Sequence, residues 1–196
     1  KSELKNRLGK KEGDVFLVTS GRLTKKNAVD DIISSLVYLP HYVTLIVIGK
    51  GEEGHNLQKQ ARDLKVSDRV KFVGFITYAD IPKYLAVCDI FVRPSRSEGF
   101  GNSFIEEMAV GLPVIATPVG GIPDFIQDRE TGIFASPDNP QSIKGAVLGL
   151  LSDSSLRQTM AQKAQNRVLE RYSWEGIAIE MGAVFDKASD VTKIPA

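Results

Sequence analysis

The chain has little that can crosslink it and no apolar run long enough to cross a membrane. Its 196 residues include one cysteine, Cys88, which excludes an intrachain disulfide and favours a reducing compartment. The first segment, KSELKNRLGK, lacks the apolar core of a signal peptide, and no run reaches the roughly 20 residues of a membrane helix. We therefore expect a soluble, cytoplasmic protein.

An excess of charge of one sign is also missing. The 25 lysines and arginines nearly balance the 24 aspartates and glutamates, which leaves a formal net charge of +1. This balance argues against nucleic acid or an anionic membrane as a partner, because both select a basic surface. Histidine is scarce as well. Because His41 and His55 have no second ligand at metal-binding spacing, we expect no metal site.

Short apolar segments alternate along the chain with amphipathic ones. Six of them have the β-branched composition and the flanking Gly, Pro, Ser or Thr of buried parallel strands. They are DVFLVTS, VTLIVIGKG, VKFVGF, DIFVRPS, LPVIATP and TGIFASP. Segments with apolar residues at helical spacing are NAVDDIISSLVYL, NLQKQARDLK, ADIPKYLAV, NSFIEEMAVG, QSIKGAVLGLLSD, SSLRQTMAQKAQNRVLERY and WEGIAIEMGAVFDKA. The alternation predicts one α/β domain, a Rossmann-like doubly wound parallel sheet with C-terminal helices and a frayed SDVTKIPA tail.

Ligands of such sheets bind beyond the carboxyl ends of the strands, which draws attention to the stretch SEGFGNSFIEE. Gly99 and Gly101 allow the backbone to turn tightly and to approach a ligand. The free N–H groups of a helix that begins near Ser103 favour an anion. The stretch therefore predicts a site for a phosphate group.

Other interpretations of the same residues stay open at this point. Ser103 and Glu106 also match a capping box, in which each side chain bonds to the other residue's backbone N–H. On a helical wheel, Glu106 and Glu107 lie about equally far from the apolar face, so geometry does not choose between them. Glu98, taken alone, is an ordinary acid of a surface loop.

The loop after the first predicted strand, GRLTKKN, is basic. Arg22, followed by Lys25 and Lys26, has the charge to neutralise a diphosphate, with the arginine fork matching its oxygens. The dinucleotide fingerprint G-x-G-x-x-G is missing here, which disfavours a site for NAD.

These segments in this order closely resemble the nucleotide-sugar-binding domain of glycosyltransferase family 4. The most specific part is a Glu-x7-Glu element followed by Ala-x-Gly-x-Pro-Val and Gly-Gly-x-Pro, within RPSRSEGFGNSFIEEMAVGLPVIATPVGGIPDFI. The resemblance implies a GT-B architecture, in which two Rossmann-like domains face each other across a cleft. Residues 1–196 correspond to the C-terminal, donor-binding domain. The N-terminal acceptor domain has no counterpart, so we expect the chain to be a piece of a longer protein.

The resemblance also implies roles for individual residues. Arg22 and backbone N–H groups around Phe100 to Ser103 would bind the donor diphosphate, Glu98 the hydroxyls of the transferred sugar, and Glu106 the ribose. Gly74 to Ile76 would lie near the base, and Gly49 to Gly51 would leave the ligand room. The implied donor-binding residues are Arg22, Lys26, Gly74, Phe75, Ile76, Glu98, Gly99, Phe100, Gly101, Asn102, Ser103 and Glu106, with Arg22 and Glu98 as the catalytic candidates.

One position departs from the family pattern. The family usually has a lysine five residues after the arginine, where this chain has Asn27. A neutral amide cannot replace that charge. Either the neighbouring Lys26 is redirected into the site, which we prefer, or the phosphate site is weaker.

The implied reaction is transfer of a hexose from a nucleoside diphosphate sugar with retention of the anomeric configuration, without a metal or other cofactor. We expect the full-length protein to be a retaining hexosyltransferase and this piece alone to be inactive. The implied partners are the donor, the N-terminal domain and a saccharide or lipid-linked acceptor. Any association with a membrane would occur through the missing domain. One alternative is a non-catalytic nucleotide-sugar-binding scaffold. Another is a different GT-B enzyme such as a nucleotide-sugar epimerase, against which the Glu-x7-Glu element argues.

Overall fold

The computed structural model describes residues 1–191, and its centre is one parallel sheet of six strands in the order β3-β2-β1-β4-β5-β6. The strands are β1 Val15–Ser20, β2 Val43–Ile48, β3 Val70–Gly74, β4 Ile90–Arg93, β5 Val114–Ala116 and β6 Ile133–Phe134. Each lies inside one of the predicted apolar segments. The predicted fold class is therefore confirmed.

Helices follow the strands and cover both faces of the sheet. They are α1 Ser2–Leu8, α2 Val29–Leu36, α3 Gly54–Asp63, α4 Ile81–Leu85, α5 Asn102–Ala109, α6 Ile122–Phe125, α7 Pro140–Ser152, α8 Ser154–Arg171 and α9 Trp174–Val191. Short 3-10 helices span Lys25–Asn27 and Ser67–Arg69.

The two layers of helices explain why the strand segments are apolar throughout. Successive side chains of a strand point to opposite faces. Leu17 of β1 therefore packs in a core with residues of α2, α3 and α7, while Val18 packs in a second core with residues of α4, α5, α6 and α8. Strands buried on both faces lose the alternation of apolar and polar residues.

The differences from the predicted elements lie at the ends of the chain and in short helices. The periodicity did not predict α1, which ends at Leu8 and is capped by Gly9 with a left-handed φ of 70°, or the four-residue helix α6. The predicted frayed tail is wrong for residues 189–191, because α9 continues through Val191. The remainder of that tail lies outside the described residues.

Helix α9 carries large apolar side chains on its surface. Ile179, Met181 and Val184 are 74%, 52% and 64% exposed. Within residues 1–191, the chain forms no helix both long and apolar enough to span a bilayer.

The strand order reverses next to β1, whose neighbours are β2 and β4. Strand β1 ends at Ser20 and strand β4 ends at Arg93. The connections that follow these two strands lead to opposite sides of the sheet. In a doubly wound sheet, the crevice between such loops is where ligands bind.

Candidate functional site

Arg93 is the last residue of β4, and it is buried at the carboxyl edge of the sheet with 7% of its surface exposed. Its Nη2 donates to Glu98 Oε2 at 2.9 Å and to Asn27 Oδ1 at 3.0 Å. Its Nη1 donates to the hydroxyl of Ser103. We call these four residues the Arg93 cluster. Burial lowers the pKa of the Arg93 guanidinium, and the nearby charges of Glu98 and Glu107 oppose that shift.

Glu98 is not an ordinary surface acid, because its side chain is only 8% exposed. One carboxylate oxygen, Oε2, receives the hydrogen bond from Arg93. The other, Oε1, accepts from the backbone N–H of Gly99 at 3.2 Å and lies 4.0 Å from Lys26 Nζ. Two cations thus face one carboxylate, so its burial is compensated by charge.

Two glycines of the loop after β5 hold the backbone at Glu98 in place. Gly120 has a left-handed φ of 56°, and a Cβ built on it would lie 1.8 Å from the carbonyl oxygen of Glu98. Gly121 donates its N–H to the carbonyl of Gly99 at 2.9 Å. The Gly-Gly pair of the GGIP motif therefore allows the two loops to touch, a role that the sequence analysis did not assign.

Arg96 clamps the loop after β4 to the start of α2. Its guanidinium binds both carboxylate oxygens of Asp30 at 2.9 Å, Asp31 at 3.0 Å and Asp138 at 2.5 Å. Its backbone N–H donates to the carbonyl of Lys26 at 2.7 Å. Burial, together with the charge of Asp30, raises the pKa of Asp31 to about 6. This clamp places Lys26 beside Glu98.

Helix α5 begins differently from the capping-box prediction. Gly101, with a φ of 79°, occupies the N-cap position, and within the described residues no side chain caps this end. Ser103 lies inside the first turn, where its hydroxyl accepts from Arg93 instead. The capping-box interpretation is therefore wrong, because the N-cap is Gly101, two residues before Ser103. The backbone N–H groups at Asn102 and Ser103 start a helix at the switch point, as the phosphate-site prediction requires.

Phe100 lies between the two glycines of this loop. Its ring is 46% exposed and packs against the rings of Phe125 and Tyr172, with centroids 5.7 and 5.5 Å apart. These contacts anchor a segment whose glycines, Gly99 and Gly101, leave the backbone free to turn.

The two neighbouring acids of α5 lie in different environments, which the helical wheel could not separate. Glu107 is fully buried and accepts a hydrogen bond of 2.6 Å from Ser20 Oγ. Burial, with the charge of Glu106, raises the pKa of Glu107 to about 8. Glu106 is partly exposed and accepts a hydrogen bond from the phenol of Tyr78, and this bond raises the pKa of Tyr78. Only Glu106 of the pair is accessible to a ligand.

Tyr78 belongs to the loop after β3, which also carries the predicted base-binding residues. Gly74 has a φ of 83°, Phe75 is 71% exposed, and Ile76 is partly buried against the second core. A cavity of about 760 Å³ adjoins Phe75 and Ile76 on the side of α1 and α4. Tyr78 was not predicted as a site residue, although an aromatic residue in a loop at this edge of the sheet was a visible signal.

The loop after β1 supplies exposed cations around a buried amide. Arg22 and Lys26 are exposed, whereas Asn27 is 3% exposed. Asn27 donates to the carbonyl of Arg22 at 2.5 Å and accepts from Arg93. A lysine at position 27 would place its ammonium against the guanidinium of Arg93. The amide at position 27 therefore suits this structure, because it accepts a hydrogen bond from a guanidinium that an ammonium would repel.

The glycines after β2 make room for a neighbouring loop. A Cβ on Gly49 would lie 1.8 Å from the carbonyl oxygen of Gly21, and one on Gly51 would lie 2.3 Å from that of Leu23. These positions let the loops after β1 and β2 pack together, so the contact that explains them is with the protein backbone.

The arrangement can bind an anion and hydroxyl groups side by side. The start of α5, Arg22 and Lys26 present N–H groups and positive charge, while Glu98 and Glu106 present carboxylate oxygens. Among residues 1–191, no three His, Cys, Asp or Glu side chains are grouped so as to hold a metal ion.

A single parallel sheet of six strands in this order, with helices on both faces, is the architecture of one domain of a GT-B glycosyltransferase. The sequence model of the family described as glycosyl transferases group 1 matches residues 1–167, and the chain belongs to this family.

Several proteins of known name are similar to the chain. An uncharacterized glycosyltransferase of Methanocaldococcus jannaschii is 31% identical over 97% of the chain and 50% of its own length. A GDP-mannose-dependent alpha-(1-6)-phosphatidylinositol monomannoside mannosyltransferase of Mycobacterium tuberculosis is 29% identical over 95% of the chain and 50% of its own length. The crystal structure of Anabaena HepE in complex with UDP and glucose has a TM-score of 0.88 at 26% identity, over 95% of the chain and 52% of HepE. The chain thus spans about half the length of these relatives.

Proposed function

We propose that this chain is the donor-binding domain of a retaining glycosyltransferase that transfers a hexose from a nucleoside diphosphate sugar to an acceptor. The observation that carries the proposal is the arrangement at the start of α5: the buried acid Glu98 before the helix, the open helix start at Gly101 and the accessible acid Glu106 within it. Crystal structures of HepE contain UDP and UDP-glucose, which supports a donor of this chemical class.

In this proposal each part of the donor has its own contacts. The hydroxyls of the sugar bind Glu98, and the ribose binds Glu106. The diphosphate binds Arg22, Lys26 and the backbone N–H groups from Phe100 to Ser103. The base lies near Gly74, Phe75 and Ile76.

The residues of the site assist the reaction by stabilising charge. When the glycosidic bond to the diphosphate breaks, negative charge grows on the leaving oxygen. Arg22, Lys26 and the positive end of the α5 dipole lie where that charge develops in the proposed pose, and such stabilisation is a large contribution to catalysis. The same cations replace a metal ion in this role, so no metal is required. The proposed retention of the anomeric configuration is based on the family resemblance alone.

We also infer that a second domain completes the enzyme. The relatives are about twice as long as this chain, and α9 exposes apolar side chains of the kind that pack against another domain. In this proposal the second, N-terminal domain binds a saccharide or lipid-linked acceptor. The isolated piece is then inactive in transfer, and a cytoplasmic enzyme reaches a membrane only through that other domain.

The scaffold alternative rested on the missing lysine at Asn27. Asn27 bonds to the carbonyl of Arg22 and to the guanidinium of Arg93, so its amide has a structural reason at this position and is not by itself a sign of a lost donor site. We therefore favour the catalytic proposal. An epimerase would convert the donor without any acceptor, so product analysis of the full-length protein with donor alone separates that alternative.

Calorimetry with UDP, GDP, ADP and their hexose conjugates tests donor binding by this chain. We expect one base to be preferred, and Glu106→Ala and Arg22→Ala to weaken binding about tenfold or more, as expected for lost hydrogen bonds to charged groups. Matched controls are Glu170→Ala on α8 and Arg62→Ala on α3, which remove the same charges at exposed positions on other helices. Absence of binding to every compound, or equal losses in the site and control variants, would contradict the proposal.

A further inference from the structure

Arg93 stands out because it is a cation at the end of an otherwise apolar strand, with the sequence IFVR. Its hydrogen bonds reach the loop after β1 at Asn27, the loop after β4 at Glu98, and helix α5 at Ser103. The ring of Phe104 lies 5.5 Å from its guanidinium carbon. Three segments of the site therefore meet at one side chain.

The geometry of the Arg93 cluster restrains the Glu98 carboxylate. The planar Arg93 guanidinium is itself held by bonds to Asn27 and Ser103, so the single bond that it donates to Oε2 of Glu98 at 2.9 Å comes from a donor with a fixed direction. The other cation near Glu98 is Lys26, whose ammonium is 4.0 Å away on a side chain that is 54% exposed. A lysine with a flexible, solvated stem restrains its partner weakly. The orientation of Glu98 therefore depends mainly on Arg93.

We propose that Arg93 is a positioning residue, which holds Glu98 by its Oε2 atom so that Oε1 can accept a hydrogen bond from a hydroxyl of the donor sugar. The inference rests on the proposed function, because Glu98 is the sugar-binding acid only in a donor site. Arg93 is buried behind Glu98 and Asn27 and acts through them.

Replacement of Arg93 should have an effect on ligand binding that replacement of a purely structural arginine would not have. An arginine that only supported the fold would affect all ligands alike when it is replaced. Arg93 acts on the sugar-binding acid, so its replacement raises the ratio of the dissociation constant of a nucleotide sugar to that of the matching nucleoside diphosphate. The ratio is independent of any general loss of affinity.

The experiment measures this ratio by calorimetry with UDP and UDP-glucose and, in parallel, with GDP and GDP-mannose. The variants are Arg93→Lys, which keeps the charge and loses the fork, and Arg93→Met, which loses both. We expect the ratio to rise severalfold in Arg93→Lys and on the order of tenfold in Arg93→Met. In a Glu98→Ala background, neither Arg93 substitution should change the ratio further, because the side chain that Arg93 restrains is gone.

Arg69→Met is the matched control. Arg69 is also a buried arginine, 6% exposed, but it lies before β3 at the opposite edge of the sheet. Within residues 1–191, its guanidinium donates hydrogen bonds to backbone carbonyls only, those of Leu36, Leu39, Pro40 and Val43. Arg69→Met should lower the melting temperature without changing the ratio.

The outcomes distinguish the inference from the function on which it rests. If Glu98→Gln leaves the ratio of dissociation constants unchanged, Glu98 does not bind the sugar and the proposed role of the site fails. If Glu98→Gln raises the ratio and the folded Arg93→Lys variant does not, the positioning role fails. A crystal structure of Arg93→Lys tests the restraint without any ligand. We expect the Glu98 carboxylate to leave its position, and an unmoved carboxylate would overturn the inference.

Discussion

Tyr78 donates a hydrogen bond from its phenol to Oε1 of Glu106, so the loop after β3 touches the helix that carries the proposed ribose-binding acid. Tyr78 is otherwise open to solvent, with 72% of its surface exposed. The phenol therefore occupies one oxygen of Glu106 at the surface of the proposed site.

The hydrogen bond between Tyr78 and Glu106 predicts a shift in the titration of the phenol. An anionic acceptor stabilises the protonated phenol, which raises the pKa of Tyr78 above its ordinary value of 10.0. We expect the pKa of Tyr78 to fall in Glu106→Gln, because the neutral amide stabilises the protonated phenol less. Titration of tyrosine carbon resonances by NMR measures both values, with Glu170→Gln as the control. The same pKa in both variants and the wild type would show that the bond does not form in solution.

Glu107 predicts a particular dependence of stability on pH. Its pKa rises from 4.5 to about 8 on folding, so between these values the folded protein holds a proton that the unfolded chain has released. The free energy of unfolding then decreases as pH rises, by at most about 1.4 kcal/mol per pH unit from this group. Well below pH 4.5 and well above pH 8, Glu107 has the same protonation state in the folded and unfolded protein, so it does not change the free energy of unfolding with pH.

Glu107→Gln tests this account. The amide cannot ionise, so its stability should lose the part of the decline between pH 5 and pH 8 that Glu107 causes. Urea unfolding of both proteins across this range measures the difference. Parallel curves for the two proteins would mean that Glu107 titrates alike in the folded and unfolded states.

Lys26 and Lys25 offer a comparison between neighbouring lysines. Lys26 lies beside Glu98 in the proposed site, whereas Lys25 lines a separate cavity with Asp30 and Glu53. We expect Lys26→Ala to weaken nucleoside diphosphate binding roughly threefold or more at low salt, and less at high salt, because the interaction is exposed and screened. Lys25→Ala removes the same charge and should have a smaller effect. Equal affinities of Lys26→Ala and the wild type would show that Lys26 does not bind the diphosphate.

Gly120 tests how the Glu98 loop is supported. An alanine there would place a methyl group 1.8 Å from the carbonyl of Glu98 at a left-handed φ, so one loop must move. We expect Gly120→Ala to cost about 2 kcal/mol or more and to weaken nucleotide-sugar binding. Gly145→Ala on α7 is the control: nothing lies within 4 Å of its added Cβ, and alanine should stabilise the helix by about 0.5–1 kcal/mol. Thermal unfolding that ranks the two variants the other way would contradict the contact.

The sheet was predictable because each strand segment is apolar throughout and bounded by turn residues. The two acids Glu98 and Glu106 were also visible, since the Glu-x7-Glu element and the glycines stand together. Helix α1 and the four-residue helix α6 were not predicted, because a few residues carry little periodicity. Ser103 and Glu106 matched a capping box by spacing alone, whereas in the structure Ser103 lies inside the first turn and bonds to Arg93.

The inner part of the site was not predictable, because it depends on side chains from separate strands. Arg93 ends a buried strand, and only the order of the sheet reveals that Asn27 and Ser103 converge on it. A charged residue at the carboxyl end of an apolar strand was the one available signal. The environments of Glu106 and Glu107 likewise depend on Tyr78 and Ser20, which come from other parts of the chain.

A crystal structure of this chain with the nucleotide sugar that it binds most tightly tests the central claim most directly. The account predicts sugar hydroxyls at Glu98, the diphosphate between Arg22 and the start of α5, and the ribose at Glu106. A donor bound away from the switch point of the sheet, or one whose diphosphate makes no contact with the start of α5, would contradict it.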